Sequence, residues 1–217
     1  MMLITGFEGY GGRGLNPAAE IANTLNGTKI AGCMVKGVSL PVQYAGLADR
    51  LEALINQYEP RAMICLGLWP GEAMIRLERV AININDFEIA DNEGLIEKGP
   101  IKVEGVGSRM SSLPLDEIQT RLLKAGIPAR ISSSAGNFLC NATMYTALGV
   151  VENSRSNVPC GFIHVPYLPA QVAELVATLK AEQVLELHQR ADVASMSLET
   201  AAYAIEIAAQ ATLEAVT

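Results

Sequence analysis

Three side chains fall where local pattern gives their chemistry a use. Cys140 follows the small-residue run Ser132-Ser133-Ser134-Ala135-Gly136-Asn137 and precedes a helical pattern through Met144, Tyr145, Leu148 and Val151, which places it in the first turn of a helix. Unpaired amides and the positive end of the helix dipole favour a thiolate there, so Cys140 is a candidate nucleophile. Most free cysteines are simply small buried apolar residues, and on this segment alone that reading stands beside the first. His164 closes the apolar run 159–165, just before Pro166-Tyr167-Leu168-Pro169. Glu78 lies with Arg79 inside the alternating apolar stretch 75–84, where an ionisable pair usually marks a solvated edge or a structural ion pair unless a partner elsewhere recruits it. A thiol at a helix start, a histidine at a strand end and a carboxylate in an apolar strand are the parts of a Cys-His-acid nucleophilic site. With only two histidines, any imidazole chemistry falls to His164 or His188, and His188 sits in a polar helical stretch that reads as surface.

The elements that must hold these groups alternate along the chain. A first apolar strand at residues 2–6 leads into a glycine-dense loop, and Asn16-Pro17 then supplies an N-cap and a first-turn proline, with Glu20 placed for a capping box. Gly9, Gly11 and Gly14 formally satisfy GxGxxG. The helix starts only after the last glycine, and the second strand, residues 30–40, ends without the acidic residue that a dinucleotide site needs. The loop therefore reads as a ligand-lining segment at a strand's carboxyl end. Helices are expected at 42–58, 115–125, 137–151, 170–189 and 197–215, and further strands at 61–66, 75–84, 129–132 and 159–165. Residues 85–107 are polar and turn-rich, with room for a small hairpin. This order predicts a three-layer α/β/α sandwich with a mixed, mostly parallel central sheet, in a single domain spanning residues 1–217.

Composition excludes several function classes. The chain has 217 residues, half of them apolar and 18% charged, enough to bury a good core. Its net charge of −7 and lack of any basic cluster disfavour nucleic acid. No membrane span or signal peptide is expected, which points to the cytoplasm. Cys33, Cys65 and Cys160 lie within or beside apolar runs and read as buried thiols, and without a CxxC pair no metal site is expected.

Four blocks, in order, resemble the pyroglutamyl peptidase I (pyrrolidone-carboxylate peptidase) family. They are Leu3-Ile4-Thr5-Gly6-Phe7-Glu8-Gly9-Tyr10-Gly11-Gly12 with Asn16-Pro17; Glu78-Arg79-Val80-Ala81-Ile82-Asn83 with Asp91-Asn92; Ala135-Gly136-Asn137-Phe138-Leu139-Cys140-Asn141; and Gly161-Phe162-Ile163-His164-Val165-Pro166-Tyr167-Leu168-Pro169. The resemblance implies a phosphorylase/hydrolase-like sandwich and a cytoplasmic cysteine exopeptidase that removes N-terminal pyroglutamate (5-oxoproline) from peptides, with no cofactor. It puts Cys140 in the nucleophile's place, His164 in the base's and Glu78 in the acid's. Phe7, Tyr10, Asn16 and Phe138 fall where the family places its substrate pocket. It also implies a homo-oligomer, a tetramer or a dimer. The chain departs from the family pattern at Gly9, Tyr10, Leu68-Trp69-Pro70, Ala90 and Glu88, and at Arg76, where a small hydroxyl residue is usual. A segment at about residues 174–195 is longer than in many relatives. Two other readings stand beside this one: a catalytically weak relative acting in binding or assembly, and a nucleoside-phosphorylase-like enzyme on the same sandwich.

Overall fold

Strand residues alternate between the two faces of a sheet, so a fully buried strand reads as an unbroken apolar run while still sorting its side chains left and right. The computed structural model describes residues 1–154, 158–182 and 193–216, and its central strands follow that rule. In chain order the elements are β1 (Met2–Phe7), α1 (Pro17–Leu25), β2 (Lys29–Ile30), β3 (Cys33–Leu40), α2 (Leu47–Tyr58), β4 (Ala62–Leu68), β5 (Ile75–Glu78), β6 (Val80–Ile82), β7 (Asn85–Asp86), β8 (Lys98–Gly99), β9 (Ser108–Met110), α3 (Leu115–Lys124), β10 (Ala129–Ser132), α4 (Leu139–Asn153), β11 (Cys160–Val165), α5 (Pro169–Ala181) and α6 (Leu198–Glu214).

Seven strands form the main sheet in the order β10-β5-β11-β4-β1-β3-β2. The pairs β1–β3, β1–β4, β4–β11 and β5–β10 are parallel, whereas β5–β11 and β2–β3 are antiparallel. The sheet is therefore mixed and mostly parallel, with helices on both faces. On one face Met2, Ile4, Ile64, Leu77 and Ile163 pack against α1, α3 and α6; on the other Leu3, Cys65 and Phe162 pack against α2 and α4. Helix α1 lies very close to the sheet. A Cβ on Gly6 would stand 2.0 Å from the Ala18 carbonyl oxygen, and one on Gly37 1.8 Å from that of Ala22, so only glycine fits at either position.

Several boundaries differ from the sequence expectation, each for a local reason. The expected strand at 30–40 is split by a turn in which Ala31 and Gly32 have φ of 45° and 74°, and β2 folds back on β3. The helix expected from residue 42 starts at Leu47. Before it, the backbone is tied elsewhere: the Tyr44 amide donates to the Asp91 carboxylate, and the Asn92 amide donates to the Val42 carbonyl. Asn16 does cap α1, accepting from the Ala18 amide at 3.0 Å, but Glu20 lies one residue past the capping-box position and no box forms. The stretch 75–84 breaks at Arg79. Only β5 joins the main sheet, while β6 turns away to pair with β9, and β7 with β8 forms the small hairpin. The expected helix at 170–189 is described as far as Ala181; its remaining residues, with the surface reading of His188, lie outside the described residues.

Candidate active site

The carboxyl ends of β1, β4 and β11 meet at one side of the sheet, the usual place for a site in an open α/β fold. A cavity of about 240 Å³ opens there, lined by Phe7, Tyr10, Asn16, Leu68, Trp69, Glu88, Phe138, Cys140 and His164, among others. It gathers six of the seven residues singled out in the sequence. The seventh, Glu78, sits behind His164.

Strand register explains why. In the antiparallel pair β5–β11, Phe162 stands opposite Glu78 and His164 opposite Arg76. Directly opposed residues share a face and diagonal neighbours are within reach of long side chains. Glu78 therefore extends diagonally along the strand to His164, its Oε1 2.8 Å from Nδ1, with both residues buried. An ionised carboxylate only accepts hydrogen bonds, so Nδ1 carries the proton and donates it, leaving Nε2 as the basic nitrogen. The ring is wedged between Trp69, edge-on with centroids 5.0 Å apart, and Phe162 at 4.8 Å. Burial lowers the pKa of His164; contact with Glu78 opposes this and the Arg76 charge adds to it, for a net downward shift.

Cys140 is the second residue of α4, after the extended Phe138 that precedes the helix. A Cβ on Gly67 would lie 2.8 Å from the Cys140 Sγ and 2.8 Å from the Phe162 ring. Gly67 is also the register partner of His164 across β4–β11. A bare backbone at this point is what lets thiol and imidazole line the same wall. The Cys140 thiol is pushed up to about 12, by burial first and by the Glu78 charge second. This differs from the expectation that a helix start would supply a resting thiolate. The thiol is half-buried on the cavity wall among apolar side chains, and there desolvation outweighs the dipole.

The ring pocket is built from aromatic edges. Phe138 meets Phe87 at 4.5 Å and Tyr10 at 6.2 Å between centroids, and Phe7 is buried in the wall. Asn16 lines the cavity, but its side chain serves the fold, capping α1 through Oδ1 and donating through Nδ2 to the Glu8 carbonyl at 2.8 Å. Sequence reasoning assigned no role to Asn141 or Asp91. The buried Asn141 amide brackets the 82–84 backbone, accepting from the Ile82 amide and donating to the carbonyls of Ile82 and Ile84, and so anchors the first turn of α4. Asp91 accepts from the amides of Tyr44, Glu93 and Leu95, and Asn92 donates to the Gly9 carbonyl, closing the loops round the pocket. Both residues stood in the family-like blocks, which was the available signal. Arg79, adjacent to Glu78 in sequence, is not its partner; Arg76 is, with Nε 2.7 Å from Oε1.

A larger groove of about 720 Å³ runs between α2 and α4, lined by Tyr44, Lys102, Arg109 and Tyr145, with no cysteine or histidine in its walls. Among the described residues no cluster of three or more metal-ligating side chains occurs. No helix among them is long and apolar enough to cross a membrane.

The sequence profile described as "Pyroglutamyl peptidase" matches residues 1–215. The chain belongs to the pyroglutamyl peptidase family. It is 41% identical to the pyrrolidone-carboxylate peptidase of Pyrococcus furiosus over 81% of this chain and 85% of that one. It is 36% identical to that of Fusobacterium nucleatum over 95% and 90% respectively. Among solved structures, a mutant pyrrolidone carboxyl peptidase from Pyrococcus furiosus superposes with a TM-score of 0.90 at 37% identity, covering 100% of this chain and 99% of the other. The pyrrolidone carboxyl peptidase of Thermococcus litoralis gives 0.89 at 36% identity, covering 98% and 93%. Leu68, Trp69 and the exposed Glu88 complete the cavity wall.

Proposed function

We propose that this protein is a cysteine exopeptidase that releases N-terminal pyroglutamate from peptides, with Cys140 as nucleophile, His164 as general acid and base, and Glu78 as the group that orients the imidazole. The observation that carries the reading is the buried Glu78–His164 contact, set behind a cavity whose wall also holds Cys140 at the start of α4. With the thiol pushed up and the imidazole lowered, the resting pair is neutral. The sulfur proton passes to Nε2 as Sγ attacks the lactam-bearing carbonyl, and the imidazolium so formed is stabilised by Glu78. The oxyanion develops near the free amides of the first turn of α4, which have no acceptor within the helix. His164 then gives its proton to the departing amine and next takes one from water, which hydrolyses the thioester.

The pocket suits a 5-oxoproline ring. That ring is flat, compact and uncharged, and the rings of Phe7, Tyr10 and Phe138 offer apolar walls of about its size. A charged free amine would enter with nothing to replace its hydration. We extend the proposal to one catalytic domain over residues 1–217, a cytoplasmic setting and a homo-oligomer. Strongly exposed Val103, Val106, Ile96 and Met110 on the 96–110 arm support the last of these, and light scattering tests it.

Fluorophore release from a pyroglutamyl aminocoumarin amide, compared between the parent and Cys140→Ser, tests the catalytic proposal. Turnover by the parent and none by the variant is the expected result. Equal turnover by both would sink it, and no turnover by either would favour a binding role instead.

A further inference from the structure

Two departures from the family pattern that lie seven residues apart in sequence meet in space, behind the catalytic histidine. The Arg76 guanidinium lies over the Trp69 ring, its Cζ 3.7 Å from the centroid. From there Nε donates to Glu78 Oε1 at 2.7 Å, the same oxygen that His164 Nδ1 contacts at 2.8 Å. A terminal nitrogen of Arg76 donates to the Ser134 carbonyl at 2.6 Å, on the loop that leads to Cys140. Glu72 accepts from Arg130 and stands 3.7 Å from the other Arg76 nitrogen, which holds the guanidinium from its far side. Arg76 is buried, and the second oxygen of Glu78 has no hydrogen-bond partner among the described residues.

A buried arginine tied to a buried carboxylate is costly to desolvate and survives only where its geometry is well satisfied. Here the satisfied geometry converges on the carboxylate that orients His164, and the same aromatic ring touches both guanidinium and imidazole. The unpartnered Oε2 is telling. Both donors that reach Glu78, Arg76 Nε and His164 Nδ1, use the same oxygen, Oε1. We propose that Arg76, clamped against Trp69, is a positioning residue for the Glu78–His164 pair, and that by sharing the oxygen that the imidazole uses it extends catalysis to more acidic pH.

The sign follows from the charges around the ring. Glu78 and Arg76 face His164 from β5 and Glu72 from the turn before it, with Arg130 of β10 held to Glu72; Cys140, Tyr10 and Glu88 share its cavity, and Cys65 of β4 stands opposite Phe162. Of these, Arg76 and Arg130 are the cations, and Arg76 alone contacts the carboxylate that His164 uses. A fixed cation beside the pair disfavours protonation of the imidazole, so the basic form that takes the thiol proton persists further into acid. Burial acts in the same direction.

This inference rests on the peptidase reading for its effect on rate, but not for its effect on the histidine. The test therefore has two readouts in Arg76→Ser and Arg76→Lys: the ring-proton NMR titration of His164, which has only His188 to be distinguished from, and the pH profile of kcat/KM on a pyroglutamyl amide. Glu78 keeps His164 and Glu72 keeps Arg130 in the serine variant, so neither carboxylate is stranded. The serine variant should raise the His164 midpoint, and with it the acid limb of the profile, by about one pH unit. The lysine variant keeps the charge but not the planar fork, so its midpoint should stay within about 0.3 unit while kcat falls several-fold at unchanged KM. An unmoved midpoint in a folded serine variant overturns the proposal, because a merely structural arginine would change stability and leave the titration alone. Should the serine variant not fold, Arg76→Met preserves the stem over Trp69 and is judged by the same midpoint. A parent enzyme without turnover would defeat the peptidase reading, and the ring titration would still decide the role of Arg76.

Discussion

The two faces of the central sheet are built from different materials. The face under α1, α3 and α6 is aliphatic throughout: its buried cluster runs through Ile21, Leu25, Ile118, Leu122, Ile205 and a succession of alanines on α6, without one aromatic ring. The face under α2 and α4 holds all four phenylalanines, Phe7, Phe87, Phe138 and Phe162, together with Tyr145 and every group assigned to the chemistry. Strand alternation makes the division clean. Ile163 and Leu77 point one way, and His164, Glu78 and Arg76, their neighbours in sequence, point the other. Alanine and branched aliphatics let helices approach closely and seal the sheet. Rings give rigid walls with few rotamers to freeze, which a small pocket needs if its catalytic groups are to stay in place. Stability and catalysis should therefore respond separately to substitutions on the two faces.

The largest effect expected is on the aromatic face. Cys140→Ser should lower turnover by about a thousandfold or more, with an unchanged melting curve. Gly67→Ala comes next: its new methyl would press on the Cys140 Sγ and the Phe162 ring together, so kcat should fall at least about tenfold and stability by about 1–3 kcal/mol. On the aliphatic face, Ile205→Ala should cost about 2–5 kcal/mol in denaturant titrations while kcat, measured well below the melting point, stays at the parental value. A large fall in kcat from Ile205→Ala would break the comparison.

Asp91 tests the rim of the aromatic face through pH. Burial pushes its carboxyl up, but the amides of Tyr44, Leu95 and Glu93 outweigh this and hold it below the ordinary value. A carboxylate depressed in the fold contributes stability above its unfolded pKa and loses it as pH falls through the folded one. Asp91→Ala should thus cost about 2 kcal/mol at neutral pH and flatten the decline of stability below about pH 4. The smallest effect is expected from Tyr10→Phe, about twofold in KM, because the ring rather than the hydroxyl walls the pocket.

Much of this was legible in the residues. The alternation of strands and helices, the Asn16 cap and the limits of β10 at residues 129–132 follow from local pattern, and the family-like blocks picked out the residues that line one cavity. What local pattern could not show was pairing between distant segments. The start of α2 depends on Asp91 holding Tyr44, 47 residues away. Glu78 was read beside Arg79, yet strand parity sends Arg79 to the opposite side, and the true partner is two residues earlier on the same face. The upward push on the Cys140 thiol departs from the helix-start expectation for a related reason. A helix start can be seen in sequence, whereas the apolar rings and the Glu78 carboxylate that other elements bring beside it cannot.

That packing also bears on how the enzyme survives while idle. Peroxide and alkylating electrophiles react with thiolates, and burial, which pushes the Cys140 thiol up to about 12, favours its protonated form at neutral pH. In the proposed mechanism, the Cys140 sulfur, seated over the bare backbone of Gly67, becomes nucleophilic as its proton passes to His164. On that mechanism, the desolvation that defers its reactivity should also slow its oxidation between turnovers, which the rate of peroxide inactivation without substrate would read.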